Sequence, residues 1–133
     1  MRILALDTST HDSSAALIDD DRIVFSWRRS EKHPPSDSIL FELKGRLDEC
    51  GADLRSIDLF ASGAGPGSFT GLRVGLCAVK TFAYALSRPV IAIDAFDIAF
   101  ERAECAGKLD SLDSVGVVVT GVKTDVYLAR FDR

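Results

Sequence analysis

Ala61-Ser-Gly-Ala-Gly-Pro-Gly-Ser-Phe-Thr-Gly-Leu-Arg-Val-Gly75 is the stretch whose reading decides the fold. It joins an apolar run, Ile57 to Ser62, to a run of helical character, Phe69 to Leu86. Gly63, Gly65, Gly67 and Gly71, four of the chain's ten glycines, crowd together here around Pro66. Glycine tolerates close backbone approach, and proline fixes one φ in the middle. Ser68 stands where an N-cap belongs. The pattern predicts a stiff strand–loop–helix elbow with its amides pointing outward, a shape that can hold phosphate at a helix N-terminus. The formal phosphate signatures are absent. No Gly-x-x-x-x-Gly-Lys-Ser/Thr spacing exists, and Thr70 stands where a dinucleotide fingerprint places its third glycine. G-x-S-x-G is missing as well. A tight turn packing strand against helix and a ligand cradle both remain open at this point.

Two motifs together carry a resemblance. Gly65-Pro-Gly-Ser-Phe-Thr-Gly-Leu-Arg-Val-Gly75, with Ile3-Leu-Ala-Leu-Asp-Thr-Ser-Thr10 upstream, resembles the TsaB (YeaZ) family. Members are bacterial partner subunits in making threonylcarbamoyladenosine on tRNA. The resemblance implies an α/β, ribonuclease H-like lobe of the actin/Hsp70 type, with a mixed five-stranded sheet and flanking helices. It covers the whole chain in order and matches the front of the family pattern.

Bulk properties bound the rest. A length of 133 residues suits one domain with a real core, and 47% hydrophobic with 27% charged residues describes a soluble globular protein. No apolar run approaches the ~20 residues a membrane helix needs, and no secretory h-region is visible, so a cytoplasmic location is expected. Cys50, Cys77 and Cys105 lie far apart and read as free, mostly buried thiols in a reducing compartment. A net charge of −4 argues against direct nucleic-acid binding, so any tRNA link is expected to run through a partner.

Along the chain, Arg2–Leu6 reads as a strand buried on both faces, ending at the polar turn Asp7-Thr-Ser-Thr10. Asp7 is either the residue that helps hold a nucleotide metal, the role an actin-like resemblance implies, or an Asx turn. Residues 14–18 and 22–28 read as a hairpin, with Ile23, Phe25 and Trp27 on one face. The loop around His33 carries Pro34 and Pro35 and departs from the family's usual His-Ser, so Ser36 or Ser38 must cap the helix that follows. That helix runs to Gly51 with a core stripe of Ile39, Leu40, Leu43, Leu47 and Cys50, which leaves Phe41 and Gly45 on another side. The helix Phe69–Leu86 is apolar nearly all round. Its polar sector is Arg73, Lys80 and Thr81 with Cys77 and Tyr84 between them, and Gly71, Gly75, Ala78 and Phe82 line another side. Small residues in a row permit close approach of a second helix. Internal packing would use the same feature. Val90–Ile93 is a short buried strand, and Asp94 caps a helix from Ala95 to about Ala106. Residues 1–107 read as the first lobe and 108–133 as the hairpin that starts a second, with the chain cut short of the family pattern.

The sequence holds no catalytic constellation. His11 and His33 form no His-x-x-x-His pair, whereas the resemblance implies one in the catalytic, metal-containing paralogue (TsaD-like). Thr120-Gly-Val-Lys123 lacks the carboxylate an actin-like ATPase carries at that hairpin. The expectation is a non-catalytic scaffold subunit that heterodimerises with that paralogue and works with an ATPase subunit (TsaE-like). The interface residues named for it are Phe41, Gly45, Gly71, Gly75, Ala78 and Phe82. A homodimer through the same helices is expected when the partner is absent. No cofactor is required on this reading, with ATP or ADP at the complex interface. The alternative is a small actin-like phosphotransferase binding nucleotide at Asp7, Thr8, Ser9, Gly65, Gly67 and Ser68.

Overall fold

The computed structural model describes residues 1–10, 12–30, 36–121 and 125–132. His11, His33, the two prolines beside it, and Val122–Thr124 lie outside the described residues, as does the cap expected of Ser36 or Ser38.

Three strands open the chain as an antiparallel meander: β1 (Arg2–Asp7), β2 (Asp12–Asp19) and β3 (Arg22–Ser30). Helix α1 (Ser36–Glu49) follows and ends at Gly51, whose φ of +67° suits a residue without Cβ. Then come β4 (Leu59–Gly63), α2 (Phe69–Leu86), β5 (Val90–Ile93) and α3 (Ala95–Cys105). β4 pairs in parallel with β1, and β5 in parallel with β4, so the sheet order is β3-β2-β1-β4-β5. This mixed five-stranded sheet with flanking helices is the ribonuclease H-like, actin-type lobe. The closing hairpin, β6 (Ser114–Thr120) and β7 (Val126–Asp132), forms a separate two-stranded sheet. Two strands cannot build a core alone. This pair leans on α3, with Phe100 stacked on Phe131 at 4.5 Å and Leu109 and Val117 buried.

Register places the core. Leu4 sits opposite Leu17 and Phe60, and Leu6 opposite Ala15 and Ser62, so these side chains share one sheet face. Ile39, Leu43 and Leu47 of α1 and Val79 and Ala83 of α2 close over it. Phe60 is fully buried, with the Phe82 ring 6.1 Å from its own. Burying each large side chain of this cluster stabilises the fold by about 1.5–3 kcal/mol.

Five expectations are corrected. Leu40 and Cys50 leave the α1 core stripe, which narrows to Ile39, Leu43 and Leu47, because α1 meets the sheet along one line only. β5 is exposed along its length, since it is the sheet edge and α2 barely overhangs it. β1 is buried on one face: Leu4 and Leu6 face the helices, while Ile3 and Ala5 on the other face are half-buried. Cys50, Cys77 and Cys105 are all exposed. In β3, Phe25 and Trp27 pack on the core, while a register shift between Leu17 and Ile18 leaves Ile23 exposed.

Candidate functional site

The β1 turn and the glycine elbow meet in one closed seam. Asp7 ends β1 and its Oδ1 accepts from the Ser9 amide at 2.9 Å, an Asx turn. Ser9 returns its carbonyl to the Ser68 amide at 2.6 Å. Ser68 caps α2, its hydroxyl accepting from the Gly71 amide. The buried Thr8 hydroxyl donates to the Gly71 carbonyl at 2.6 Å. The other side of the elbow is tied to α3 and β5: the Ala95 amide donates to the Gly65 carbonyl at 2.7 Å, and the Ala64 amide to the Ile93 carbonyl at 2.8 Å.

The structure thus brings together all six nucleotide candidates, Asp7, Thr8, Ser9, Gly65, Gly67 and Ser68. Polar groups of Asp7, Thr8, Ser9, Gly65 and Ser68 bond to one another or to the neighbouring backbone. Thr8 and Ser9 are buried, and Gly65 is buried with φ at +82°. A Cβ added at Gly67 would overlap the Ser9 carbonyl, and one at Gly71 the Thr8 carbonyl. The elbow therefore packs tightly on the β1 turn, and its Ala64 and Ser68 amides are taken by the Ile93 and Ser9 carbonyls, which corrects the expectation of outward amides at those two positions. Asp7 also borders a mostly apolar cleft of about 330 Å³ on the open sheet face, floored by Ala5, Ala16, Ala61 and Gly63. Among the described residues no group of three or more His, Cys, Asp or Glu is placed to hold a metal ion.

The interface candidates divide. Phe41 is 78% exposed on α1, and the space where a Cβ of Gly45 would stand, one turn on, is open. Gly71 and Gly75 face inward instead, and a Cβ at Gly75 would lie 2.5 Å from the Thr8 hydroxyl oxygen. Ala78 and Phe82 pack on the core cluster. Small residues let the β1 turn approach α2, so this row lies on the inner face, the internal packing that the sequence left open. The outer face of α2 is the sector read from sequence as polar, Arg73, Cys77, Lys80, Thr81 and Tyr84 (90% exposed), with Phe69 (73% exposed) at its start. Sequence reasoning missed it as a surface of interest. Its signal was available, because Phe69–Leu86 contains two cations and no acid. An apolar groove of about 430 Å³ separates α1 from α2, with Leu40, Leu43 and Leu47 on one wall and Phe82 on the other.

The family model described as TsaD, tRNA N6-adenosine threonylcarbamoyltransferase, matches residues 33–133. The chain belongs to this family. Within the TsaD family, it is 29% identical over 133 residues to the tRNA threonylcarbamoyladenosine biosynthesis protein TsaB of Escherichia coli K12, covering 100% of this chain and 56% of that protein. It is 32% identical over 108 residues to the tRNA N6-adenosine threonylcarbamoyltransferase of Sphingopyxis alaskensis, covering 69% of this chain and 31% of that enzyme. Among solved structures it superposes on YeaZ from Pseudomonas aeruginosa with a TM-score of 0.85 at 32% identity, covering 99% of this chain and 60% of that one. The chain therefore spans less than two thirds of the length of these TsaD-family relatives. Among the described residues no helix is long and apolar enough to cross a membrane.

Proposed function

We propose that this chain is an accessory, non-catalytic subunit of the bacterial assembly that installs threonylcarbamoyl on adenosine of tRNA. One observation carries the reading. The chain follows the TsaB (YeaZ) likeness over 99% of its length, while its two histidines, His11 and His33, cannot form the His-x-x-x-His pair expected of the catalytic paralogue. Its partner is that TsaD-like paralogue, working with a TsaE-like ATPase subunit in the cytoplasm. tRNA reaches this chain only through them. Docking uses the exposed sides of α1 and α2, where Phe41, Phe69 and Tyr84 stand out in solvent. Large exposed aromatics on adjacent helices support this reading, since interface energy concentrates in such residues. Any ATP or ADP of the assembly is assigned to a subunit boundary.

The test is co-expression with the TsaD-type paralogue of the same organism, followed by pull-down of a tagged chain. The wild type is expected to retain the paralogue. Phe41→Asp and Tyr84→Asp, both at exposed positions, are expected to lose it while keeping the wild-type melting temperature. Magnesium-dependent, micromolar nucleotide binding by the chain alone would instead support the phosphotransferase alternative. Retention of a tight complex by both variants would refute the assigned docking face.

A further inference from the structure

The two edges of the five-stranded sheet differ in chemistry. β3 carries Arg22, Arg28 and Arg29, with Arg28 paired to Asp12 and Arg29 to Glu42. β5 carries no charge, and its Val90, Ile91 and Ile93 are 42%, 43% and 36% exposed. Charges, bulges and proline are what keep a sheet edge from pairing with another chain. Val90–Ile93 contains no proline, and its register with β4 is regular.

The register also shows which backbone groups of β5 are open. The Pro89 carbonyl accepts from the Phe60 amide at 3.1 Å, and the Ile93 carbonyl from the Ala64 amide at 2.8 Å, so the odd-numbered residues turn their backbone groups to β4. Val90 and Ala92 turn theirs outward, because successive residues of a strand alternate. Pro89 belongs to the inward set, so its missing N–H leaves the outer row intact. Two opposite charges flank the strand in the outward phase, Arg88 and Asp94. The Arg88 guanidinium has only long contacts, 3.4 Å to the Arg55 carbonyl and 3.9 Å to Asp58. Asp94 accepts from the Asp97 amide through Oδ1, which leaves Oδ2 open among the described residues.

We infer that β5 pairs antiparallel with β5 of a second copy, about a two-fold axis through Ile91, so that two sheets become one. Val90 then lies opposite Ala92 of the second copy, and Ala92 opposite its Val90. Each such pair exchanges both N–H···O=C bonds. Ile91 meets its own equivalent on the axis as a non-hydrogen-bonded pair, with Cα atoms about 4.5 Å apart. The same register sets Arg88 opposite Asp94 of the second copy, and Asp94 opposite its Arg88. Opposite charges facing each other across strands stabilise a pairing, and like charges oppose it. A slip of one rung would set Arg88 against Ala92, or Asp94 against Val90, and lose both charge pairs. This is the ground for a second copy over a foreign strand: one edge carries both halves of the ion pair, equally spaced about Ile91, as an isologous contact requires. The pairing uses none of the α1 and α2 side chains assigned to paralogue docking and does not rest on the accessory-subunit reading.

Measurements on the purified chain test it. Sedimentation equilibrium is expected to show a mass that rises with concentration from 14.4 kDa towards twice that value. Ala92→Pro removes an outward N–H at an edge position where proline is tolerated, so it is expected to stay monomeric with the wild-type circular dichroism spectrum. Arg88→Glu is expected to weaken the dimer several-fold at low salt and less at high salt. Ile91→Cys, in a chain with Cys50, Cys77 and Cys105 replaced by serine, is expected to form an intermolecular disulfide on mild oxidation, because a Cα separation of about 4.5 Å suits one. Val118→Cys, at an exposed hairpin position in the same background, is not. A wild type that is monomeric at every concentration overturns the pairing, as does a dimer that Ala92→Pro leaves intact. Cross-linking of Val118→Cys as readily as Ile91→Cys overturns it too. So does a dimer that Phe41→Asp abolishes, which assigns the contact to the helices. A monomer whose Val90 and Ala92 amides gain protection from exchange only when an extended valine-rich peptide is added overturns it in favour of a foreign strand.

Discussion

Gly71→Ala should destabilise the fold, although glycine-to-alanine inside a helix ordinarily does the reverse. Alanine is favoured over glycine in a helix interior by about 1 kcal/mol. At Gly71 the new methyl would overlap the Thr8 carbonyl, a backbone atom held between β1 and β2. Overpacking of this kind costs about 1–3 kcal/mol. Relief requires α2 to move away from the β1 turn, which stretches the Thr8 hydroxyl–Gly71 bond of 2.6 Å and the Ser68 amide–Ser9 bond of 2.6 Å. Each contributes about 1 kcal/mol. The net loss is about 2–4 kcal/mol, a fall in melting temperature of roughly 8–16 °C for a domain of this size. Gly45 is the control on α1, because open space surrounds its Cβ position. Gly45→Ala should gain about 0.5–1 kcal/mol and raise the midpoint by roughly 2–4 °C. Thermal melts followed by far-ultraviolet circular dichroism distinguish the two. If Gly71→Ala melts at or above the wild type, the close contact between elbow and β1 turn is not what holds α2 in place.

Thr8→Val keeps the shape and removes the buried donor to Gly71, so urea unfolding should show a loss of about 1–2 kcal/mol. Phe60→Ala empties a fully buried site beside Phe82 and should cost about 3–5 kcal/mol in the same assay. An aromatic disulfide reagent should titrate Cys50, Cys77 and Cys105 without denaturant; full protection of two or more would contradict their exposure.

Much of the architecture was legible because local signals were strong. The α2 limits, Phe69 to Leu86, follow from Ser68 as cap and from the left-handed Ser87 ahead of Pro89, and they match the sequence reading. Asp94 caps α3 as its position suggests, accepting from the Asp97 amide. The opening meander follows from acidic turn residues between two β-prone runs. What failed was anything that needed a neighbour's position. Val90–Ile93 reads as buried because it is wholly apolar, yet an edge strand keeps that composition with one side uncovered. Leu40 lies within the apolar arc of α1, but the sheet reaches only as far as Leu43 and its two partners. Asp7, Thr8 and Ser9 of the β1 turn and Gly65, Gly67 and Ser68 of the elbow were named together, and the structure brings them side by side. That the Ser68 amide meets the Ser9 carbonyl was not legible, because nothing in a glycine-rich string tells whether its amides meet a ligand or the preceding turn.

The same ambiguity bears on which side of α2 is open to solvent, and the geometry leaves one assignment. A helix can put a single side against the sheet. At 100° per residue, Gly71, Gly75, Ala78 and Phe82 centre about 170° from Phe69, Arg73, Cys77, Lys80 and Tyr84. The Thr8 carbonyl admits no side chain at Gly71, and the Thr8 hydroxyl oxygen lies within 2.5 Å of a Cβ at Gly75, so the glycine side must be the inner one. Once it is, the opposite stripe faces solvent over its whole length. The glycines therefore fix the rotation of α2 about its own axis, and with it the stripe that meets solvent. A variant that rotates the helix would weaken docking even though it touches no partner atom, and it would do so together with a loss of stability. A variant on the stripe itself, such as Tyr84→Asp, would weaken docking with stability unchanged. Measured side by side, that difference separates a residue that positions the surface from one that forms it.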